Sequence, residues 1–456
     1  MSGLVIGAII CLLLLILMAI GVPVSFALGL TAMISILVFL TMGEFGYFAN
    51  FVFASLNNFT LLAIPLFILM GAIFGQSQAS RDLLEAAHVW IGRLRGGLAM
   101  SSVVACSLFA ALTGSSPATS AAIGKIAIPE MKKRGYPNTV STGAIVAGGT
   151  LGILIPPSVT LILYGVATEQ SIGRLFLGGV APGIMLTVLF CLWIFIAISV
   201  HRMRGHSGRQ EEGGATRGSG QALHAVAGAE AYGWKDRFAM LIKVIPFILL
   251  IVGILAALYA GVATPSEAAA VGALFSLVLV GILYRSVTPR SLMSVALETT
   301  RTSTMILLIV AFSAVLGQVM SFLGVPQDLA QWVAGLEVNR WVVFLAMNVL
   351  FLTLGFFIPP VAIILITIPV LFPVITQLGF DPIWFGVVMT LNMEMGLITP
   401  PVGLNLYVVQ GIAPDIPLRD ILVGSLPYVG VLALGIILLI FFPDLVLWLP
   451  NRMFGE

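Results

Sequence analysis

Long apolar windows fill this chain, and polar residues interrupt them at only a few places. Runs at 4–20, 24–40 and 61–74 are apolar, the first two joined by the tight corner Gly21-Val22-Pro23. About 17–25 such residues let a helix cross a bilayer. The stretch 43–58 is aromatic and short of charge, which suits a segment at the membrane interface. Over 81–95 the pattern changes. Leu83, Leu84, Ala87, Val89, Trp90, Ile91 and Leu94 gather broadly on one side, as in an amphipathic helix lying on the membrane surface. The run 98–131 is apolar again but interrupted by TGSSPATS at 113–120. Each half is too short to cross, so the pattern predicts a re-entrant hairpin with a polar tip. Apolar stretches at 140–168 and 172–177 and a span at 182–200 follow. The long polar segment 201–237, rich in Gly, Ser, Arg and Glu and without periodicity, reads as a flexible linker. Beyond it the pattern predicts spans near 240–260, 268–283 and 304–323, and a surface segment at 327–338. Residues 341–375, interrupted at Phe357-Ile358-Pro359-Pro360, form a second expected hairpin; 382–412 and a last span at 422–442 follow.

The stretches GTLGILIPPSVTLILYGVAT at 149–168 and EMGLITPPVGLNLYVVQGI at 394–412 share a device. Each is apolar enough for a membrane yet carries two adjacent prolines. Pro156 withholds an amide donor and pushes Ile155 out of the helical region, and Pro157 does the same to Pro156. A helix broken there leaves bare amides and carbonyls at mid-membrane depth, tolerable only against protein or a bound ion. Setting Gly152 on Gly396 puts Pro156 and Pro157 on Pro400 and Pro401, a shift of 244 positions. Other landmarks match at shifts of 240 to 247, among them Asp82 with Asp328, Ser116-Pro117 with Pro359-Pro360, and Ile128-Pro129 with Ile368-Pro369. Glycine and proline rather than leucine carry the match, so two repeats are expected. The first, 1–200, has scaffold spans at 1–58, a hairpin at 98–131 and a broken helix at 137–168. The second, 238–456, has scaffold spans at 240–285, a hairpin at 341–375 and a broken helix at 382–412. Broken helices in matching places of two halves point to the binding site of a secondary transporter.

Composition sharpens the class. Of 456 residues 59% are hydrophobic and only 9% charged, and the mean hydropathy is +1.12. That is an all-α polytopic membrane protein with inverted repeats, two re-entrant hairpins and two broken helices. Cys11, Cys106 and Cys191 are isolated in apolar runs and match no metal spacing. The first apolar run lacks a basic n-region and a small-residue cleavage pattern, so it reads as a retained span. The net charge of +2 is uninformative, but its distribution is not. Arg202, Arg204, Arg209, Arg217, Lys235 and Arg237 put the 201–237 linker in the cytoplasm. Counting spans outward leaves both termini outside and sends the first hairpin in from the cytoplasm and the second from the outside, which inverts the repeats. Membrane lipid is an expected partner and nucleic acid is not.

Each half offers a hairpin tip beside an unwound helix. Unwound carbonyls coordinate cations, and half-helix N-termini turn positive ends toward an anion. Expected sodium ligands are Ser115 and Ser116 facing Gly152, Ile155 and Pro157, and Pro359 and Pro360 facing Gly396, Thr399 and Pro401. Ser116 and Thr119 suit a substrate carboxylate, and Asn392 and Asn405 can serve ion or substrate. The competing reading for all of these is interhelical hydrogen bonding. Glu394, one turn before the second break, can relay a proton, tune a cation site or pair with a cation; as an acid near a helix end it can also simply reach water. Thr264-Pro265-Ser266-Glu267 is a capping box opening a helix. The histidines fall on surface or linker segments, and neither HExxH nor Walker A occurs. An enzyme is not expected, and an ion gradient is the energy source. One charge moving down 100 mV releases about 2.3 kcal/mol. Thousandfold accumulation costs about 4.1 kcal/mol, so two or more coupled cations suffice.

GVPVSFA at 21–27, LLAIPLFILMG at 61–71, TGSSPATSAAIG at 113–124, IPEMKKRGY at 128–136, GGTLGILIPPS at 148–158, ATPSEAAAVGA at 263–273 and GLITPPVGLNL at 396–406 together resemble a known family. It is the large, DctM-type membrane subunit of tripartite ATP-independent periplasmic (TRAP) transporters. The resemblance implies a sodium-coupled importer of organic anions such as C4-dicarboxylates, sialic acids or sugar acids, with Na+ as coupling ion. It implies an elevator-type fold, a multi-pass location in the bacterial inner membrane, and two partners: a small four-helix membrane subunit and a periplasmic solute-binding protein. The tip Phe357-Ile358-Pro359-Pro360 lacks the acid that many relatives carry there. A stand-alone anion symporter or exchanger of a related inverted-repeat fold, and a passive channel, remain as alternatives.

Overall fold

A computed structural model of the chain describes residues 2–40, 46–207, 233–285, 288–336 and 338–454. Every regular element among them is helical. In chain order the first half runs α1 (Gly3–Ala19), α2 (Val24–Phe39), α3 (Phe48–Leu56), α4 (Ala63–Gly75), α5 (Ala79–Ile91), α6 (Gly97–Thr113), α7 (Ser116–Lys133), α8 (Asn138–Thr150), α9 (Val159–Thr168) and α10 (Ile172–Ser207). The second runs α11 (Trp234–Tyr259), α12 (Pro265–Tyr284), α13 (Pro289–Phe322), α14 (Val325–Ala334), α15 (Arg340–Gly355), α16 (Pro360–Gln377), α17 (Pro382–Leu397), α18 (Leu404–Ile412), α19 (Leu418–Phe441) and α20 (Asp444–Phe454). Six helices among the described residues are long and apolar enough to cross a membrane; α3 and α4, bent by 61°, add a seventh if they count as one span.

Local sequence explains most boundaries. Thr264 and Glu267 form the expected capping box: the Thr264 amide donates to the Glu267 carboxylate at 2.7 Å and the Glu267 amide to Thr264 Oγ1 at 3.3 Å. Pro265 opens α12 at its first position, where a missing amide costs nothing. Gly114, with φ of +59°, ends α6 at the tip of the first hairpin. α15 and α16 flank the interruption expected of the second.

Three boundaries differ from the sequence reading. α10 is continuous from Ile172, although 172–177 and 182–200 were expected as separate pieces. The intervening Gly178 and Gly179 belong to the helix: a Cβ at Gly179 would lie 2.5 Å from the Leu154 carbonyl oxygen, so this stretch is helical and packed tightly against the first break. α13 starts at Pro289 rather than 304, because Thr288 caps it through Ser291. At about 1.5 Å per residue it is longer than the bilayer is thick. The linker is shorter than 201–237. α10 runs to Ser207 and α11 begins at Trp234, while 208–232 lie outside the described residues, as do 43–45 of the expected interfacial segment.

The packing is reciprocal. α7, the returning arm of the first hairpin, packs on α18, and α16, the returning arm of the second, packs on α9. α8 likewise packs on α19, and α17 on α10. The Tyr164 hydroxyl of α9 donates to the Pro382 carbonyl at 2.7 Å, and Lys132 at the end of α7 pairs with Asp415 between α18 and α19. Outside this cluster, α12 and α13 pack on α4, and α13 also on α2 and α3.

Candidate functional site

Both helices break where the double prolines predict. α8 ends at Thr150, passes through a short 3-10 turn at Leu151–Ile153 and resumes as α9 after Pro156-Pro157. Ser158 caps α9: its hydroxyl donates to the Ile153 carbonyl at 2.5 Å and accepts from the Leu161 amide at 3.3 Å. α17 ends at Leu397, and the amides of Ile398 and Thr399 reach back only three residues, to Met395 and Gly396. α18 resumes after Gly403. Both Pro–Pro bonds are cis.

Each break lies directly against a hairpin. A Cβ at Gly152 would stand 2.5–2.6 Å from the Ser115 carbonyl and the Ser116 amide nitrogen. A Cβ at Gly396 would stand 2.6–2.7 Å from the backbone of Gly355. Only glycine lets main chain approach main chain this closely. The Val402 amide donates to the Phe356 carbonyl at 3.2 Å, joining the second break to its hairpin. Ser115, Ser116, Gly152 and Pro157 are thus brought together, with the Pro157 carbonyl oxygen 2.7 Å from where a Cβ on Gly114 would stand. The Ile155 side chain packs against Gly183 of α10. In the second half the break meets the hairpin at Gly355, through Gly396, and at Phe356, through Val402, a few residues before Pro359 and Pro360. Pro156 and Pro157 are buried, whereas Pro359, Pro400 and Pro401 are exposed, so the second break is the open one.

The polar side chains sort into two groups. Several are already engaged. Thr119 shares a 2.9 Å bond with Thr113 and donates to the Ser115 carbonyl, bracing the first hairpin. Thr399 Oγ1 donates back to the Met395 carbonyl in the last turn of α17. The Asn392 amide nitrogen donates to the Asn348 carbonyl at 3.0 Å and to Asn348 Oδ1 at 2.9 Å, which fastens α17 to α15, while its own Oδ1 has no partner among the described residues. These three make the interhelical or intrahelical bonds of the competing reading. The others have unused capacity. Asn405 is fully buried and neither side-chain polar atom has a partner among the described residues. Glu394, 1% exposed, accepts from Ser116 Oγ at 2.6 Å through Oε1, while Oε2 has no hydrogen-bond partner there. The Ile153 amide faces the same carboxylate, and Ser116 Oγ also lies 3.5 Å from the Thr150 carbonyl. Glu394 therefore belongs to the first break although it grows from the helix of the second. A buried carboxylate that is charged and unpaired is costly, so this position calls for a proton or a cation. Asn348 and Thr150 were not singled out from sequence; a lone Asn in the apolar run 341–375 was the available signal for the first.

The sequence model of the family described as "Tripartite ATP-independent periplasmic transporter, DctM component" matches residues 11–445. The chain belongs to the DctM family. A C4-dicarboxylate TRAP transporter large permease protein of Pseudomonas aeruginosa is 39% identical over 93% of this chain and 94% of its own length. An isethionate TRAP transporter permease protein of Oleidesulfovibrio alaskensis is 34% identical over 87% of this chain, which spans 59% of that longer protein. The YdaH transporter of Alcanivorax borkumensis has the same fold, with a TM-score of 0.62 over 90% of this chain and 89% of its own at 17% identity. The family resemblance drawn from the motifs is borne out. As a DctM-type permease subunit with its run of apolar helices, the protein is a multi-pass component of the bacterial inner membrane.

Proposed function

We propose that the chain is the transport subunit of a sodium-coupled TRAP importer of small organic anions. The observation that carries the reading is the pairing of two hairpin tips with two broken helices around buried polar atoms that lack partners, in a chain of a family described as ATP-independent transporters. Sodium ions are held at Ser115, Ser116, Gly152 and Pro157 in the first half, with Glu394 compensating charge, and at Gly396, Thr399 and Pro401 in the second. The substrate is a C4-dicarboxylate or an acid of similar size, in line with the names of the relatives, and Asn405 and the positive N-terminal end of α7 at Ser116 suit its carboxylates. The reciprocal packing supports two inverted repeats, with hairpins and broken helices forming a transport domain that moves as an elevator against α2, α4, α12 and α13. A small membrane subunit and a periplasmic binding protein complete the system.

The test is uptake of radiolabelled C4-dicarboxylates into proteoliposomes holding the chain with its co-encoded partners. Accumulation that needs both a sodium gradient and the binding protein is expected. Uptake without the binding protein would favour a stand-alone symporter, and uptake without sodium would remove the coupling ion from the account.

A further inference from the structure

A second feature lies apart from both breaks. α5, α7 and the start of α11 enclose a cavity of about 550 Å³. Its wall carries Arg81, Lys125, Lys133 and Arg134 against only two carboxylates, Glu85 and Glu130. Glu85 pairs with Arg81 at 3.0 Å, and Glu130 lies 3.1 Å from Arg134 and 3.9 Å from Lys133. Lys125 forms no ion pair with any described residue, so the cavity keeps a surplus of positive charge. The floor is apolar, with Leu84, Ile126 and Met240.

The depth of the cavity follows from α11. That helix opens with Trp234, Lys235, Asp236 and Arg237 and becomes continuously apolar after Lys243. Met240 lies between, about one turn from either boundary. Beside it, the Arg237 guanidinium stands 5.7 Å from the ring of Trp90 and 5.1 Å from that of Trp234. These indoles are 43% and 67% exposed. Exposed tryptophans at the polar end of a span mark the headgroup layer of a membrane. Asp82 accepts from the Tyr284 hydroxyl at 2.6 Å and lies 3.8 Å from Lys243, which fixes α5 to α11 and α12. One wall of the cavity is therefore anchored, and the other is the returning arm of the first hairpin.

We propose that this cavity binds the phosphate headgroup of an anionic phospholipid, with Lys125 and Lys133 contacting the phosphate. Surplus cations at headgroup depth attract anionic lipid, and the apolar floor receives the start of an acyl chain. Free phosphate offers the same charge and nothing for the floor. A lipid seated here bridges the anchored α5 and the hairpin arm α7.

The full chain, purified and delipidated in detergent, is titrated with short-chain phosphatidylglycerol, short-chain phosphatidylcholine or inorganic phosphate while its melting temperature is followed. Phosphatidylglycerol is expected to raise the melting temperature, and the other two to leave it in place. Charge removal weakens the effect by about fivefold per lysine, so Lys125→Gln with Lys133→Gln shifts the half-effect concentration by about 25-fold. Lys125→Arg with Lys133→Arg keeps it. Both lysines are exposed, so the fold tolerates either pair, and the three-ligand comparison on the unmodified chain stands by itself. An equal response to phosphatidylcholine, or no weakening in the glutamine pair, overturns the proposal. A response to inorganic phosphate matching that to phosphatidylglycerol makes this a soluble-anion site instead.

Discussion

Ser116 joins three parts of the molecule at one hydroxyl: the first hairpin, the first break at Thr150, and Glu394 from the other half. Ser116→Ala leaves Glu394 Oε1 without its donor as well, and an orphaned buried acceptor costs about 1–3 kcal/mol. We expect a lower melting temperature and, if the cation site is here, a rise of about tenfold in the sodium concentration for half-maximal uptake. Ser116→Thr keeps the hydroxyl and is expected to recover most of the affinity. An unchanged sodium response in the alanine variant would reduce the bond to helix packing. At Gly152 and Gly396 the argument is steric, since any Cβ meets backbone that cannot rotate away. Gly152→Ala and Gly396→Ala should each cost about 1–3 kcal/mol and abolish uptake. Gly430→Ala, where nothing lies within 4 Å, is the matched control and should leave thermal stability unchanged.

At the scale of elements, the breaks are made by what proline lacks. Pro400 and Pro401 have no amides, so the Gly396 and Leu397 carbonyls receive no bond from four residues on, and Gly396 accepts instead from the Thr399 amide at 3.2 Å. Alanine at both positions restores two donors and favours a continuous helix through 398–403. The protein should still insert, and sodium-driven uptake should need much more sodium or vanish; wild-type sodium affinity in that variant would move the ion elsewhere, with Glu394 the first alternative. The capping box of α12 gives a smaller effect. Thr264→Ala removes the side-chain acceptor for the Glu267 amide, and loss of such a cap costs about 1 kcal/mol, read as a modest fall in melting temperature with transport intact.

For the whole molecule the prediction concerns sidedness. From the Lys and Arg count we expect the segment between α10 and α11 to lie in the cytoplasm. Single cysteines introduced at 210–230, in a background without Cys11, Cys106 and Cys191, should resist membrane-impermeant thiol reagents in intact cells and react after permeabilisation. Rapid labelling in intact cells would reverse the orientation and with it the side from which each hairpin enters. The two breaks also differ at this scale, the first buried and the second open at Pro400 and Pro401. If the repeats exchange exposure as the transport domain moves, cysteines at 400–402 should label at rates that change with sodium and substrate.

The all-helical membrane class, the two breaks, the first hairpin tip, the capping box and the family were legible along the chain. Each depends on local properties: the length of an apolar run, the missing amide of proline, the spacing of Thr264 and Glu267. Apolar length was a poorer guide where a helix carries polar turns, as in 289–303, or a packed glycine pair, as at Gly178 and Gly179. The tertiary structure alone decided which polar groups still have something to bind. Asn392 and Asn405 look alike along the chain, yet the nitrogen of one is committed to Asn348 and leaves only its oxygen unpaired, whereas neither polar atom of the other has a partner among the described residues. Glu394 reads as a neighbour of its own break, one turn away, and instead lies against the break of the other half. No local pattern encodes such a meeting, because it depends on helices far apart in sequence packing against one another, and burial rather than residue type sets what an unpaired oxygen costs.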